Sequence, residues 1–238
     1  QQALLALSMA VLLIIPLAFG LREPGFQGAA SPKRDQTIGH ALREAFSYPS
    51  FNLLMAGYFV CGFQVVFIGV HMPSYLKDNG LSPQVASYAL ALIGLFNVFG
   101  TYIAGTLGQR MPRRFILSFI YLARAVAISV FLLVPLSPLS VYIFSAVMGT
   151  LWLSTVPPTN ATIAQIFGVQ HLSMLGGFVF FSHQLGSFMG VWLGGYLYDA
   201  TGSYDIVWYI AIGLGVLAGL VNLPIKEAPI QRAQPQAA

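Results

Sequence analysis

Seven long apolar runs constrain the fold of this 238-residue chain more than any other feature. The runs cover residues 3–21, 51–75, 84–108, 115–135, 139–166, 173–198 and 205–225. A helix needs about 20 apolar residues to cross a bilayer, and runs of this length are too long for strands. We therefore predict an all-α membrane protein, a polytopic helical bundle with seven transmembrane helices.

Composition supports this class and excludes others. Hydrophobic residues make up 57% of the chain and charged residues only 8%, whereas a soluble domain carries about 25% charge. The net charge of +4 is spread too thinly to predict a nucleic-acid partner. The single cysteine, Cys61, excludes a disulfide within the chain.

The position of the basic residues predicts the orientation in the membrane. Most of the 11 lysines and arginines fall in alternate loops, which must lie on the same side of the bilayer. They are Arg22, Lys33, Arg34, Arg43, Arg110, Arg113, Arg114, Lys226 and Arg232. The positive-inside rule makes this side cytoplasmic. We expect a multi-pass protein of the plasma (inner) membrane with a cytoplasmic C-terminus.

The runs also predict the domain organisation. We expect a transmembrane helix at 1–21, a cytoplasmic linker at 22–50, a six-helix bundle at 51–225 and a cytoplasmic tail at 226–238. Apolar residues recur at helical spacing within the linker, which favours a short amphipathic surface helix over a solvated loop. These residues are Ile38, Ala41, Leu42, Ala45 and Phe46. Because the chain begins without Met inside an apolar run, we expect it to be the C-terminal part of a longer protein.

Arg124 is the one charged residue that lies inside an apolar run and away from its ends. It lies nine residues into the fourth run, about 14 Å along the helix and therefore near the bilayer midplane. A charge at that depth costs several kcal/mol and is a functional hypothesis by default. Two interpretations remain open: Arg124 attracts an anionic substrate such as a carboxylate, or it pairs with backbone carbonyls and polar side chains of neighbouring helices.

Four other polar residues lie at membrane depth and are candidate substrate-binding residues. Gln64 and Asn97 carry amides that can bind a solute or join helices. His183 lies beside Gln184 near the middle of the sixth run. Its imidazole titrates near physiological pH, so it can relay a proton, or it can stay neutral and hydrogen-bonded between helices.

Glycines and prolines within the apolar runs predict close contact between helices and a hinge. Gly186, Gly190 and Gly194 recur every four residues, a spacing that lets helix backbones approach closely. Pro157 and Pro158 interrupt the fifth run and predict a break or kink there, with a possible hinge. We find no metal-binding cluster, cofactor motif or converging acid–base pair, so we predict no metal, no cofactor and no enzyme activity.

The loop "GTLGQRMPRR" at 105–114 resembles the signature G-x-x-x-D-R-x-G-R-R of the major facilitator superfamily. The matching positions are Gly105, Gln109, Arg110, Arg113 and Arg114. Gln109 replaces the acidic residue and Pro112 replaces the second glycine. Both departures are typical of the weaker copy of the signature, which the family carries between helices eight and nine.

Other stretches resemble the branch of this family that includes the monocarboxylate transporters. They are "HMPSYLKDNGLSPQVAS" at 71–87, "FFSHQLGSFMGVWLGG" at 180–195 and "GGYLYDATGSYDIVWYI" at 194–210. The second stretch is similar to a bacterial, YcxA-like group. The monocarboxylate group places an Asp and an Arg on helix eight for proton and substrate binding, and the third run here has Asn97 instead.

The resemblance implies a twelve-helix, two-bundle fold that alternates access to a site between its halves. The chain would then hold helix six and the C-terminal six-helix half, and helices one to five would be missing. The resemblance also implies that the loop arginines pair with carboxylates or helix ends to close the cytoplasmic side. The alternative is that they only fix the topology.

We therefore expect a secondary active transporter of a small organic solute, with an organic anion such as a carboxylate favoured by the buried positive charge. The alternatives are an exporter of hydrophobic compounds and a non-transporting membrane sensor on the same fold. The expected partners are membrane lipid, the solute and the missing N-terminal half.

Overall fold

Eight α-helices joined by short turns occupy the described part of the chain from Ile38 onward. The computed structural model describes Leu12 and residues 36–231. The helices are α1 (Ile38–Ser47), α2 (Pro49–Asp78), α3 (Pro83–Leu107), α4 (Arg113–Leu133), α5 (Pro138–Leu151), α6 (Val156–Phe167), α7 (Leu172–Thr201) and α8 (Asp205–Asn222). Apart from Leu12, the predicted transmembrane helix at 1–21 lies outside the described residues, as do most of the linker and residues 232–238.

Prolines and glycines set the ends of several helices. Pro49, Pro83 and Pro138 lie in the first turns of α2, α3 and α5, where the missing N–H has no helical partner to lose. Gly202 follows α7 with φ of +69°, a left-handed conformation that glycine adopts without steric cost. The amphipathic pattern in the linker corresponds to α1, which buries Ala41 and Ala45.

Six segments have the length to cross a bilayer. Five of them are apolar enough as well: α2, α3, α4, α8 and the segment 138–167, which contains α5 and α6. The sixth is α7, whose 30 residues correspond to about 45 Å. It is less apolar than these five but packs along α2.

The helices pack in pairs. α2 lies against α7, α3 against α5, and α4 against α8, with α8 also contacting α2. Two large groups of buried apolar side chains fill the bundle, one around Phe67 and Trp208 and the other around Phe51 and Tyr121. Trp152 packs against both groups, so the interruption between α5 and α6 lies between them.

The described basic segments, at residues 110–114 and 226, lie at one end of the bundle, as the sequence predicts. The backbone N–H of Arg114 donates to Oε1 of Glu227 at 2.8 Å, which joins the loop before α4 to the segment after α8. The backbone N–H of Lys226 donates to Ser50 Oγ at the start of α2. At the opposite end, the Tyr198 hydroxyl donates to Asp78. We call the first of these the basic end.

Candidate functional site

The fifth membrane segment is interrupted between Leu151 and Val156, and we call residues 152–155 the break. Pro157 and Pro158 lie in the first turn of α6. Proline rings clash with the carbonyl four residues earlier and provide no N–H to it, so the helix cannot continue through residues 153 and 154. Backbone groups freed within a membrane must find partners in the protein, and the break therefore needs polar neighbours.

Arg124 of α4 supplies donors to the break. Its Nε and Nη2 donate to the Leu151 carbonyl at 3.1 and 2.6 Å, and Nη2 also donates to the Trp152 carbonyl at 2.5 Å. The side chain is completely buried, and its guanidinium lies 5.5 Å from the centre of the Tyr121 ring. In this conformation, Arg124 pairs with backbone carbonyls, while its Nη1 is buried and has no hydrogen-bond partner among the described residues.

Asn97 of α3 supplies a hydrogen-bond acceptor to the break, whereas Arg124 supplies donors. Its Oδ1 accepts from the Leu153 N–H at 3.0 Å and from the Thr101 hydroxyl at 3.3 Å. Helices α3 and α4 therefore each place one polar side chain against the break. An acceptor and a donor are both required because an unwound turn frees N–H groups as well as carbonyls.

A third polar contact reaches the break from α2. The Cys61 thiol is 3.3 Å from the Thr155 hydroxyl, and both residues are buried. The thiol also interacts with the His183 side chain on α7. His183 Nδ1 lies 3.2 Å from Gln184 Oε1 and 3.3 Å from Ser187 Oγ. A continuous line of polar groups thus runs from the exposed Gln184 to the break.

The Gln64 side chain contacts α8 and not the break. Its Nε2 donates to the Ala211 carbonyl of α8 at 2.9 Å, so the amide joins α2 to α8. Its Oε1 is buried and has no hydrogen-bond partner among the described residues. The structure therefore brings Arg124 and Asn97 together at the break, with His183 connected through Cys61, and it does not bring Gln64 to the break.

Cys61 was not predicted from the sequence. Thr155 flanks the predicted break, two residues before Pro157, and its position in the sequence is the signal for it. Cys61 has no such signal, because its neighbour is 94 residues away and only the packing of α2 brings the two together.

The arginine loop forms its contacts with residues distant in sequence. Arg113 donates to the Gln165 side chain and lies 3.8 Å from Glu227 Oε2. The Arg114 guanidinium donates to the Ile225 carbonyl at 3.4 Å. Glu227 thus provides the carboxylate that Gln109 lacks, a role that the sequence analysis missed. Its signal was that it is the one acidic residue among residues 206–238.

The three spaced glycines lie where α7 meets α2. A Cβ at Gly186 would overlap the Phe59 carbonyl oxygen, and one at Gly190 would lie 2.5 Å from the Phe63 carbonyl oxygen. At Gly194 it would lie 2.7 Å from the His71 ring. At Gly186 and Gly190 a residue without a side chain is needed because the two backbones touch, and at Gly194 the same need comes from the His71 side chain. The described residues contain no group of three metal-binding side chains.

Comparison with known proteins identifies the family. The model of the Major Facilitator Superfamily matches residues 2–163 and again residues 54–238, so the two matches together cover nearly the whole chain. The chain belongs to the Major Facilitator Superfamily. Within this superfamily, it is similar to the uncharacterized MFS-type transporter YcxA of Bacillus subtilis, with 26% identity over 226 residues.

Two further relatives are named as monocarboxylate transporters. The chain is 26% identical over 181 residues to monocarboxylate transporter 13 of Rattus norvegicus and 26% identical over 166 residues to monocarboxylate transporter 12-B of Danio rerio. The three matches use 92%, 74% and 68% of this chain but only 55%, 40% and 35% of the respective relatives. The chain therefore spans about half the length of the curated relatives it matches, or less.

Proposed function

We propose that the protein is a secondary transporter of a small organic anion, and that the described bundle forms one half of its alternating-access machinery. The observation that carries the proposal is the guanidinium of Arg124, which is buried in α4 and has no ion-pair partner among the described residues. The acidic residues of the described membrane helices lie at their ends: Asp78, Asp199 and Asp205.

An uncompensated positive charge favours anions over cations. Carbonyl dipoles from Leu151 and Trp152 stabilise the guanidinium, but they do not neutralise it. In a medium of low dielectric constant, its field extends further than it would in water. A solute that carries a carboxylate is therefore attracted to this depth, whereas an amine is repelled. Two of the relatives are named as monocarboxylate transporters, which supports the same class of solute.

We propose that the bundle changes conformation at the break. Because α5 and α6 share no continuous helix, each can tilt without deforming the other, and Arg124 and Asn97 hold the unwound turn in one geometry. We propose that tilting of α5 against α6 turns the unpaired Nη1 of Arg124 toward the solute. Pro157 and Pro158 keep the turn from rewinding into a regular helix.

His183 is our proposed proton relay. Its ring connects the exposed Gln184 with the buried Cys61, so a proton bound there is close to both the open face of α7 and the break. Gln64 remains a weaker candidate for solute contact, because its amide already binds the backbone of α8.

The cellular setting is part of the proposal. We place the protein in the plasma membrane, with the basic end and the C-terminus on the cytoplasmic side. A second bundle, formed by the N-terminal half that the relatives' greater length allows for, would complete the site. Without that half, we expect this chain to transport nothing.

Uptake by proteoliposomes tests the proposal. The protein at its natural length is reconstituted and supplied with radiolabelled small carboxylates and, in parallel, with the amide of each acid. We expect saturable uptake of at least one carboxylate and none of its uncharged amide. Transport of apolar compounds in place of carboxylates would support an exporter, and the absence of transport across the panel would support a sensor; either result contradicts the proposal.

A further inference from the structure

Tyr58 of α2 lies beside His183, the proposed proton relay. The centres of the two rings are 5.3 Å apart, and Tyr58 is 6% exposed. It belongs to the same group of buried apolar side chains as Ile163 of α6 and Val179 of α7. Packing therefore fixes the position of the ring, as is required of a group that orients a ligand.

The Tyr58 hydroxyl forms no hydrogen bond with the described residues. It is also not enclosed, whereas Arg124 Nη1 is both enclosed and unpaired among those residues. A hydroxyl withdrawn from most of the solvent costs free energy unless it is paired, and a phenylalanine would fill the same space without that cost. An unpaired donor at the open edge of a packed cluster therefore suits a ligand that brings its own acceptor.

Tyr58 and Arg124 lie at nearly the same depth in the bundle. Helices α2 and α4 both begin at the basic end, and Tyr58 is about 14 Å along the first and Arg124 about 17 Å along the second. Cys61, about one helical turn after Tyr58, is 3.3 Å from Thr155 of the break. The Tyr58 hydroxyl is also within electrostatic range of Arg124. One small solute can therefore face both groups.

We propose that Tyr58 is a solute-binding residue, whose hydroxyl donates a hydrogen bond to the carboxylate that Arg124 attracts. This inference rests on the proposed function, because it concerns the same solute. A carboxylate has two oxygens, so one can accept from Tyr58 while the other faces Nη1 of Arg124. Since the hydroxyl lies at the open edge and Nη1 is enclosed, the solute meets Tyr58 first and Arg124 only after α5 has tilted.

Tyr58→Phe tests this role, because it removes the hydroxyl and keeps the ring that packs beside His183. Uptake of a radiolabelled carboxylate is measured in proteoliposomes that contain the protein at its natural length. Loss of a hydrogen bond to a charged group weakens binding at least about tenfold, so KM should rise by that factor. Vmax should change by less than about twofold, because an interaction with the bound solute is lost and the conformational change is not altered.

Tyr75→Phe is the matched control. Tyr75 lies near the opposite end of the same helix, where its ring packs against Phe131 and Trp208. The substitution removes the same atom at a position away from the break. KM and Vmax of Tyr75→Phe should therefore equal those of the wild type.

A second measurement separates binding of the solute from folding and from transport. A ligand that binds the folded state stabilises it, so the carboxylate should raise the SDS concentration at which the wild type unfolds. Tyr58→Phe should need at least about tenfold more carboxylate for the same rise. Without solute, it should unfold at no lower SDS concentration than the wild type, because the hydroxyl has no partner among the described residues to lose.

Three results would overturn the inference. If the wild type takes up the carboxylate and Tyr58→Phe has the same KM and the same stabilisation by solute, Tyr58 does not bind the solute and the proposed function stands. If Tyr58→Phe unfolds at a lower SDS concentration without solute, the hydroxyl has a structural role. If the wild type neither binds nor transports any carboxylate, the proposed function fails and this inference fails with it.

Discussion

Replacing Gly186 with alanine should separate α2 from α7 and destabilise the bundle. A Cβ at this position would overlap the Phe59 carbonyl oxygen and lie 2.8 Å from the Phe59 carbonyl carbon and 3.1 Å from the Phe63 nitrogen. All three atoms belong to the backbone of α2, so no side chain can rotate away to make room. The helices must move apart, and the contacts along their interface are lost.

The expected cost follows from two opposing effects. Overpacking of a tight interface typically costs about 1–3 kcal/mol. Glycine-to-alanine substitution in an unobstructed helix instead stabilises it by about 0.5–1 kcal/mol. Gly195 lies on the same helix, and a Cβ there would meet no atom within 4 Å, so Gly195→Ala is the matched control. The two variants should therefore differ by about 1.5–4 kcal/mol in unfolding free energy, or roughly tenfold to nearly a thousandfold in the unfolding equilibrium.

Equilibrium unfolding in SDS measures this difference directly. Cys61 is completely buried on α2, so the accessibility of its thiol reports whether α2 has separated from its neighbours. The measurement uses a variant that retains Cys61 as the sole cysteine. Its reaction with a maleimide should become faster in Gly186→Ala and stay slow in Gly195→Ala. If the two alanine variants unfold at the same SDS concentration, the close contact between α2 and α7 is wrong.

Three further predictions concern the break, the basic end and the topology. Asn97→Leu leaves a main-chain N–H of the break without an acceptor and should lower the unfolding free energy in SDS by about 1–3 kcal/mol; an unchanged midpoint would contradict the pairing. Glu227→Gln removes a partly exposed ion pair with Arg113 and should cost about 0.2–1 kcal/mol at low ionic strength. That difference should shrink in 0.5 M salt, and a loss insensitive to salt would argue against an electrostatic contact. A cysteine at Lys77 should react with a membrane-impermeant maleimide on intact cells, whereas a cysteine at Arg110 should react only after permeabilisation; the reverse pattern would invert the topology.

The sequence predicted the long apolar helices among the described residues and the shared end of the basic segments at 110–114 and 226. Each of these features follows from a short stretch of sequence and its order in the chain. A run of about 20 apolar residues suffices to define a span, and alternate loops must lie on the same side of the membrane. The interruption near Pro157 was predictable for the same reason, because proline acts on its own helix.

The partners of the polar residues were not predictable in the same way. Arg124 contacts Leu151 across 27 residues, and Cys61 contacts Thr155 across 94. Such pairs depend on how helices rotate about their axes when they pack, which apolar periodicity does not determine in helices that are hydrophobic on all sides. Of the two interpretations of Arg124, the structure shows the pairing with backbone carbonyls, and contact with an anionic solute stays a prediction.

Glu227 illustrates the same limit at the basic end. The sequence showed that Gln109 could not provide a carboxylate to the arginines, but the substitute is more than 110 residues later in the chain. Only the return of the segment after α8 to the start of α4 brings it within reach.

The most direct test of the account is the dependence of carboxylate uptake on Arg124. Uptake by the protein at its natural length should fall at least about tenfold in Arg124→Gln, because the buried positive charge is lost. Arg124→Lys keeps the charge and should retain part of the uptake, and Arg43→Gln, which removes an exposed arginine on α1, should leave it unchanged. If correctly folded Arg124→Gln takes up the carboxylate at the wild-type rate, the buried guanidinium does not select the anion and the central claim is wrong.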